Sequence, residues 1–336
     1  FRTLKMKHYL EKILALENLT LDESYQLMLR IMSGKLNDAQ ISGLLIALRM
    51  KGESVDEITG FAEAMREKMI KLDLGFPAID MCGTGGDGVG TFNISTCASF
   101  IVAGAGVKVA KHGNRAISSN SGSADVLNEL GIDINRTTEE SLRDIEEGGL
   151  GFLFAPNYHP AIKYAMNTRN SLGIRTVFNI LGPLANPALV KYQAMGIFNT
   201  KLIYNQTKVL KNLGLEQAIV FSGLDGLDEI TTTSETNISF FLSSTEIESK
   251  TISPSDFGIK KSKSQELLGG VPKENAQIIH AILNGDRGPK RDIAVLNAAA
   301  GIFIAGKCSS FQEGITLANE SLDSGKALKV LKRITK

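Results

Sequence analysis

"IDMCGTGGDGVGTFNIS", residues 79–95, sets a strand-like run against a glycine turn and the polar start of a helix. Within it, Gly83-Thr84-Gly85-Gly86-Asp87-Gly88 matches the dinucleotide fingerprint G-x-G-x-x-G letter for letter. That fingerprint needs a strand, a tight turn, a helix, a second strand and, about 20 residues on, an acidic side chain for a ribose hydroxyl. The first four have candidates in order: "AIDMC", the glycine loop, "STCASFIVAGAG" and "VKVAKHG". The fifth fails, because the second strand runs into Lys111, His112 and Arg115, a cationic cluster that suits further phosphate. No Gly-Lys-Ser/Thr follows, so the Walker pattern fails too. What remains is a strand–turn–helix unit whose backbone N–H groups grip an anion at a helix N-terminus.

Outward from this unit the alternation continues. "GLGFLFAP", "AMGIFN" and "QAIVFSG" are suited to buried strands, with helical segments between several of them, which predicts an α/β domain with a mostly parallel central sheet. Upstream, residues 8–72 read as consecutive short helices, with Leu27, Leu29 and Ile31, then Ile41, Leu44, Leu45 and Leu48, at helical spacing. Thr20 with Glu23, Asn37 with Gln40 and Ser54 with Glu57 form capping-box patterns, and Gly34 and Gly52 sit where helices stop. The expected organisation is a small N-terminal helical domain, residues 1–75, and a larger α/β domain, residues 76–336. The proline-rich "NILGPLANPA" belongs to a crossover around residues 168–190 that returns to the helical domain. Residues 234–264, rich in Ser, Thr and Lys, read as surface strands and loops.

The chain has 336 residues with 37 basic and 36 acidic side chains, a formal net charge of +1. No global basic field argues for nucleic acid or an anionic membrane, so any anion site must be local. Three cysteines, Cys82, Cys97 and Cys308, are odd in number and lack metal-ligand spacing, which fits small buried thiols in a reducing compartment. The longest apolar runs, "ASFIVAGAGV" and "VLNAAAGIFIAG", fall short of a membrane span, and the N-terminus has no signal-peptide pattern. A cytoplasmic protein is expected, with "FRTLK" ahead of a natural start at Met6.

Candidate site residues cluster in four stretches. Asp87 places a carboxylate inside the anion cradle, where it repels phosphate unless a cation offsets it; the loop therefore hints at Mg2+. Asn93, Ser95 and Thr96 supply short polar groups at the helix start, where ordinary N-capping is the alternative. In "FSGLDGLDEIT" a strand-like run ends in a glycine turn with Asp225, Asp228 and Glu229. The adjacent Asp228 and Glu229 suit a hydrated Mg2+ shared with substrate phosphates, against the alternative of an exposed acidic turn. "KHGNRAISSNSGSADVLNELGI" packs Lys111, His112 and Arg115 against Ser118, Ser119, Ser121 and Ser123 before a helix near Ala124. Here the alternatives are a solvated loop and, for His112, a structural histidine; nothing marks it as a base. "LFAPNYHPAIKYAMNTRNSLGIRTVFNILGPLANP" leads through Asn157, Tyr158, His159 and Pro160 into a helix ending near Arg169 and Arg175. Helix arginines are usually surface residues, but one facing a cleft is well suited to a substrate carboxylate.

Taken together, "GTGGDG", "NIST", "KHGNR", "SGSADVL", "LFAPNYHPA", "RNSLGIRTVFNILGPLANP" and "GLDE" closely resemble the anthranilate phosphoribosyltransferase family of tryptophan biosynthesis, in the right order over most of the chain. The resemblance implies transfer of a ribosyl 5-phosphate from phosphoribosyl pyrophosphate to the amine of anthranilate, with Mg2+ and a homodimer formed through the helical side. It places Gly83, Gly86, Asp87, Thr91, Asn93, Ser95, Thr96, Lys111, Ser119 and Ser123 around phosphoribosyl pyrophosphate, with Ile94, His112, Gly113, Arg115 and Ser118 in the same loops. By the same resemblance Ser95 would touch one Mg2+ and Asp228 with Glu229 would hold another, while Asn114 and Arg169 would face anthranilate, with Gly83 near it. No side chain is expected to act as nucleophile or as one of an acid–base pair. Breaking the C1–pyrophosphate bond builds positive charge on the ribose and negative charge on the leaving group, so stabilising pyrophosphate is the main task. Two other readings stay open: a pyrimidine nucleoside phosphorylase, which shares the architecture, and a catalytically silent relative that binds nucleic acid. The "GTGGDG", "KHGNR" and "GLDE" spellings weigh against the first, and the near-zero net charge against the second.

Overall fold

The computed structural model describes residues 6–86, 88–116, 120–243 and 245–335. Four helices come first: α1 (Met6–Leu14), α2 (Leu21–Met32), α3 (Asp38–Lys51) and α4 (Val55–Lys68). The last three start at reciprocal capping boxes, Thr20 with Glu23, Asn37 with Gln40 and Ser54 with Glu57, each satisfying backbone N–H groups that a helix start leaves open. Strands then alternate with helices: β1 (Ile79–Gly83), α5 (Ile94–Gly104), β2 (Val109–Gly113), α6 (Ser123–Glu129), α7 (Thr138–Arg143) and β3 (Leu150–Phe154). Next come α8 (Ala155–Tyr158), α9 (Lys163–Leu172), α10 (Phe178–Leu181), β4 (Tyr192–Gly196), α11 (Ile203–Asn212) and β5 (Gln217–Gly223). β6 (Thr236–Leu242) and β7 (Glu248–Ile252) complete the sheet, and α12 (Pro272–Leu283), α13 (Pro289–Ile304), α14 (Phe311–Asp323) and α15 (Lys326–Ile334) end the chain.

The strands stand in the order β3-β2-β1-β4-β5-β6-β7, parallel from β3 to β5 and antiparallel in the last two pairings. Successive side chains of a strand point to opposite faces, and here both faces are covered. Ile79, Met81, Ala194, Ile219 and Phe221 enter one core with α5 and α13, while Cys82, Met195, Ala218 and Val220 enter a second. That second core also holds Leu27, Leu44 and Phe61 of the first helices and Phe178 and Leu181 of the crossover. Asn167 and Thr168 of α9 donate to Asp38 at 2.5 and 2.8 Å, and Arg66 of α4 donates to the carbonyls of Leu184 and Leu213 at 2.7 and 3.0 Å.

Two elements differ from their expected form. β6 is not a surface strand: it lies between β5 and β7, with Phe240 in one core and Phe241 in the other, because its apolar residues straddle both faces. Only β7 is largely exposed. The helix expected to end near Arg175 stops at Leu172, where Gly173 turns left-handed at φ 59°, and Arg175 lies beyond it. Among the described residues no helix is long and apolar enough to cross a membrane.

Candidate active site

β1 and β4 are neighbours, yet the chain leaves β1 toward β2 and leaves β4 toward β5. That reversal opens a crevice at the carboxyl ends of the strands, the usual ligand position in an open α/β sheet. Gly83 of β1 pairs with Gly196 of β4 at this point. A Cβ on Gly196 would overlap the backbone of Asp228, and one on Gly83 would come within 2.7 Å of Asp228 Oδ2. The paired glycines thus let the segment after β5 lie across the crevice. Asp228 Oδ2 accepts the Gly85 N–H at 2.7 Å, and Glu229 Oε1 accepts the Ser95 N–H at 3.1 Å. Gly85 and Gly86 are successive left-handed residues, φ 66° and 75°, a turn closed to side chains larger than hydrogen without strain. Asp225 is spent differently, accepting the Thr231 hydroxyl at 2.7 Å and that of Thr233.

Lys111 lies beneath the first turn of α5, only 2 % exposed; its Nζ donates to the Met81 carbonyl and to Ser95 Oγ at 3.4 Å. Burial lowers its pKa, opposed by Asp80, Cys82 and Glu229. Its charge therefore underlies the helix start rather than facing open solvent. In the same turn the Thr96 hydroxyl is buried without a hydrogen-bond partner among the described residues, and Ile94 packs into the core with its N–H on the Phe92 carbonyl at 2.7 Å. Strand alternation turns His112 to the opposite face, its ring 5.1 Å from that of His159. Burial pushes His112 down to about 3 and His159 to about 4, so both are neutral at physiological pH. On that face burial raises the Asp80 carboxyl to about 6, against the pull of Lys111; it accepts the His112 N–H at 3.2 Å and Asn186 Nδ2 at 2.8 Å.

The second loop is held by Asp125, which sequence reading did not single out. Asp125 pairs with Arg115 at 3.0 Å and accepts the N–H groups of Ala116 and Gly122 at 2.9 and 3.0 Å. Arg115 thus secures the loop, with its guanidinium also 5.8 Å from the Phe154 ring centre. Gly113 is needed for close approach, since a Cβ there would overlap Ser123 Oγ. Ser123 donates to the Asn114 carbonyl at 3.3 Å, while the Asn114 residue itself stays exposed. Asn93 makes no side-chain cap on α5. Its Oδ1 instead accepts Ser121 Oγ at 3.1 Å and Asn275 Nδ2 at 3.0 Å, and its Nδ2 donates to the Ser121 carbonyl at 3.1 Å. Thr91 forms an isolated bridge with Leu268, which ties the same loop to the segment before α12. Asp87, Ser118 and Ser119 lie outside the described residues.

The crossover contributes two arginines. Arg169 is half-buried with its guanidinium 5.1 Å from the Phe178 ring centre, and its side chain makes no hydrogen bond or ion pair with another described residue. Arg175 stacks 4.3 Å from the Phe198 ring centre and donates to the Gly86 carbonyl, while its own carbonyl accepts Arg49 Nη1 at 2.6 Å. No local sequence pattern announces this bridge from α3 to the glycine turn.

Among the described residues no three His, Cys, Asp or Glu side chains gather into a metal cage. The Asp228 and Glu229 carboxylates and the Ser95 hydroxyl offer only oxygen donors, the type that suits hard cations which keep waters of their own.

The helical bundle domain of a glycosyl transferase family matches residues 7–69, and its a/b domain matches residues 75–328. Anthranilate phosphoribosyltransferase of Petrotoga mobilis is 51% identical over 97% of this chain and 95% of its own length. That of a Thermoanaerobacter species is 54% identical over 98% of this chain and 97% of its own. This chain belongs to the anthranilate phosphoribosyltransferase family. The solved anthranilate phosphoribosyltransferase of Thermus thermophilus superposes with a TM-score of 0.92 at 40% identity, covering 97% of this chain and 98% of that one. The Saccharomyces cerevisiae anthranilate phosphoribosyltransferase, solved in complex with phosphoribosyl pyrophosphate and Mg, gives 0.89 at 30% identity, covering 98% and 96%. Family membership accounts for a fingerprint glycine loop with no acidic ribose ligand on the second strand.

Proposed function

We infer that this chain transfers the 5-phosphoribosyl group of phosphoribosyl pyrophosphate to the amine of anthranilate, giving N-(5-phosphoribosyl)anthranilate and pyrophosphate in tryptophan biosynthesis. The observation that carries this reading is the bridging of the crevice by Asp228 and Glu229, which sets two carboxylates against the glycine turn and the start of α5. A carboxylate pair beside an anion cradle makes chemical sense when a divalent cation lies between it and the phosphates. Ser95 is the residue that would hold one Mg2+ and Asp228 with Glu229 those that would hold another; bound there, the ions would neutralise the charge growing on the departing pyrophosphate.

The rest falls to the protein's own groups. We place Gly83, Gly86, Thr91, Asn93, Thr96 and Ser123 around phosphoribosyl pyrophosphate, in the loops after β1 and β2 and at the starts of α5 and α6. Lys111 supplies fixed positive charge beneath them through Ser95. Preorganised donors of this kind are worth roughly 3 kcal/mol each in other enzymes. Anthranilate's aromatic amine is already neutral near pH 7, so Asn114 and Arg169, which we place at its carboxylate and ring, need only orient it. We further propose a helical unit of residues 1–75 joined by the crossover, a homodimer through the helical side, and a cytoplasmic location.

The test is the fluorescence of anthranilate mixed with protein, phosphoribosyl pyrophosphate and Mg2+. Signal should fall only in the complete mixture. Unchanged signal from folded protein would remove the proposal.

A further inference from the structure

We infer that Asn297 is a positioning residue for Asp228 and Glu229: its buried side-chain amide clamps the backbone of Ile230 and thereby sets where the two carboxylates begin. The inference rests on the proposed Mg2+ and pyrophosphate site. Asn297 lies in α13 and is 1 % exposed, the one polar side chain in the run "VLNAAAGIFIAG". Its Oδ1 accepts the Ile230 N–H at 2.9 Å, and its Nδ2 donates to the Ile230 and Ile293 carbonyls, each at 2.9 Å. A single amide thus pairs with both polar groups of Ile230 as a neighbouring strand would.

The clamp matters because residues 227–231 belong to no helix or strand, so no ladder fixes their path. Ile230 is 1 % exposed, and without Asn297 its N–H and carbonyl would be left buried and unpaired. Glu229 is one peptide from this anchor and Asp228 two, a lever too short to absorb a shift. From there Glu229 reaches the Ser95 N–H and Asp228 the Gly85 N–H, so displacement of Ile230 moves both carboxylates relative to the glycine turn. Outer partners that orient metal-binding groups commonly change metal affinity 10–100-fold when removed, although they touch no metal.

The experiment compares Asn297→Leu, which keeps the volume and removes every hydrogen bond, with Asn297→Asp, which keeps an acceptor for the Ile230 N–H. Ile302→Val, buried in the same helix, serves as the comparison for general loosening. Mn2+ binding is followed by electron paramagnetic resonance in the presence of phosphoribosyl pyrophosphate, alongside the Mg2+ dependence of turnover. Asn297→Leu should bind Mn2+ about tenfold more weakly, Asn297→Asp less so, with the anthranilate KM unchanged and turnover restored at high Mg2+. Adding Asp228→Asn to Asn297→Leu should cost less than Asp228→Asn alone, because the two act through one element. Wild-type Mn2+ binding in Asn297→Leu, or a loss no greater than that of Ile302→Val, would reduce Asn297 to a structural brace. Should Asn297→Leu fail to fold, Asn297→Asp against Ile302→Val decides in the same way. A wild-type protein that binds no Mn2+ here overturns the site reading itself, and this inference with it.

Discussion

Acid should destabilise this protein through one buried pair, His112 and His159. In the folded chain burial holds them neutral down to about 3 and about 4, whereas in the unfolded chain each takes a proton near 6.5. The unfolded state therefore binds more protons as pH falls below 6.5, and folding loses about 1.4 kcal/mol per pH unit for each ring. At pH 5 that amounts to about 2 kcal/mol per histidine and about 4 for the pair. Asp80 works the other way: its carboxyl is raised to about 6 from 3.8, so its stabilisation is full below 3.8 and lost as pH rises through about 6. Between pH 7 and pH 5 it returns about 1.4 kcal/mol, which leaves a net loss of roughly 2.5 kcal/mol. Urea unfolding followed by circular dichroism at the two pH values measures this directly. In the double variant His112→Asn with His159→Asn the histidine loss is gone, so stability should fall by about 4 kcal/mol less than in the wild type between pH 7 and pH 5. The quantity compared is the change with pH, which is independent of any constant loss caused by the substitutions. A double variant that keeps the wild-type fall would refute the buried neutral pair.

Three further outcomes are expected. Arg169→Ala should raise the anthranilate KM about tenfold or more, with a smaller change for phosphoribosyl pyrophosphate, as loss of one charge-assisted contact implies; equal changes in both would remove it from the anthranilate side. Asp228→Asn with Glu229→Gln should shift the Mg2+ titration of the rate to higher concentration, and an unchanged titration would take them out of the metal site. Gly113→Ala brings a Cβ against Ser123 Oγ and within 2.8 Å of the Phe152 ring. It should lower stability by about 1–3 kcal/mol in denaturant unfolding, and a neutral effect would contradict the close approach of α6 to β2.

Sequence by itself determined the elements whose causes are local. The capping boxes at Thr20, Asn37 and Ser54 depend on residues three apart, and all three form. "QAIVFSG" coincides with β5 because a strand buried on both faces must be continuously apolar. The glycine turn after β1 is likewise local, since successive left-handed residues at Gly85 and Gly86 call for glycine. Only the tertiary structure decided which groups meet. Asn93 reads as a helix cap, yet its side chain bonds Ser121 and Asn275, 28 and 182 residues away. Lys111 and His112 read as one cationic patch, and the two-residue period of β2 sends them to opposite sides of the sheet. Asn275 and Asn297 carry no motif, because their partners are backbone atoms and side chains far away in sequence. Local pattern fixes what each segment can form, and long-range packing alone fixes which polar groups share a buried neighbourhood.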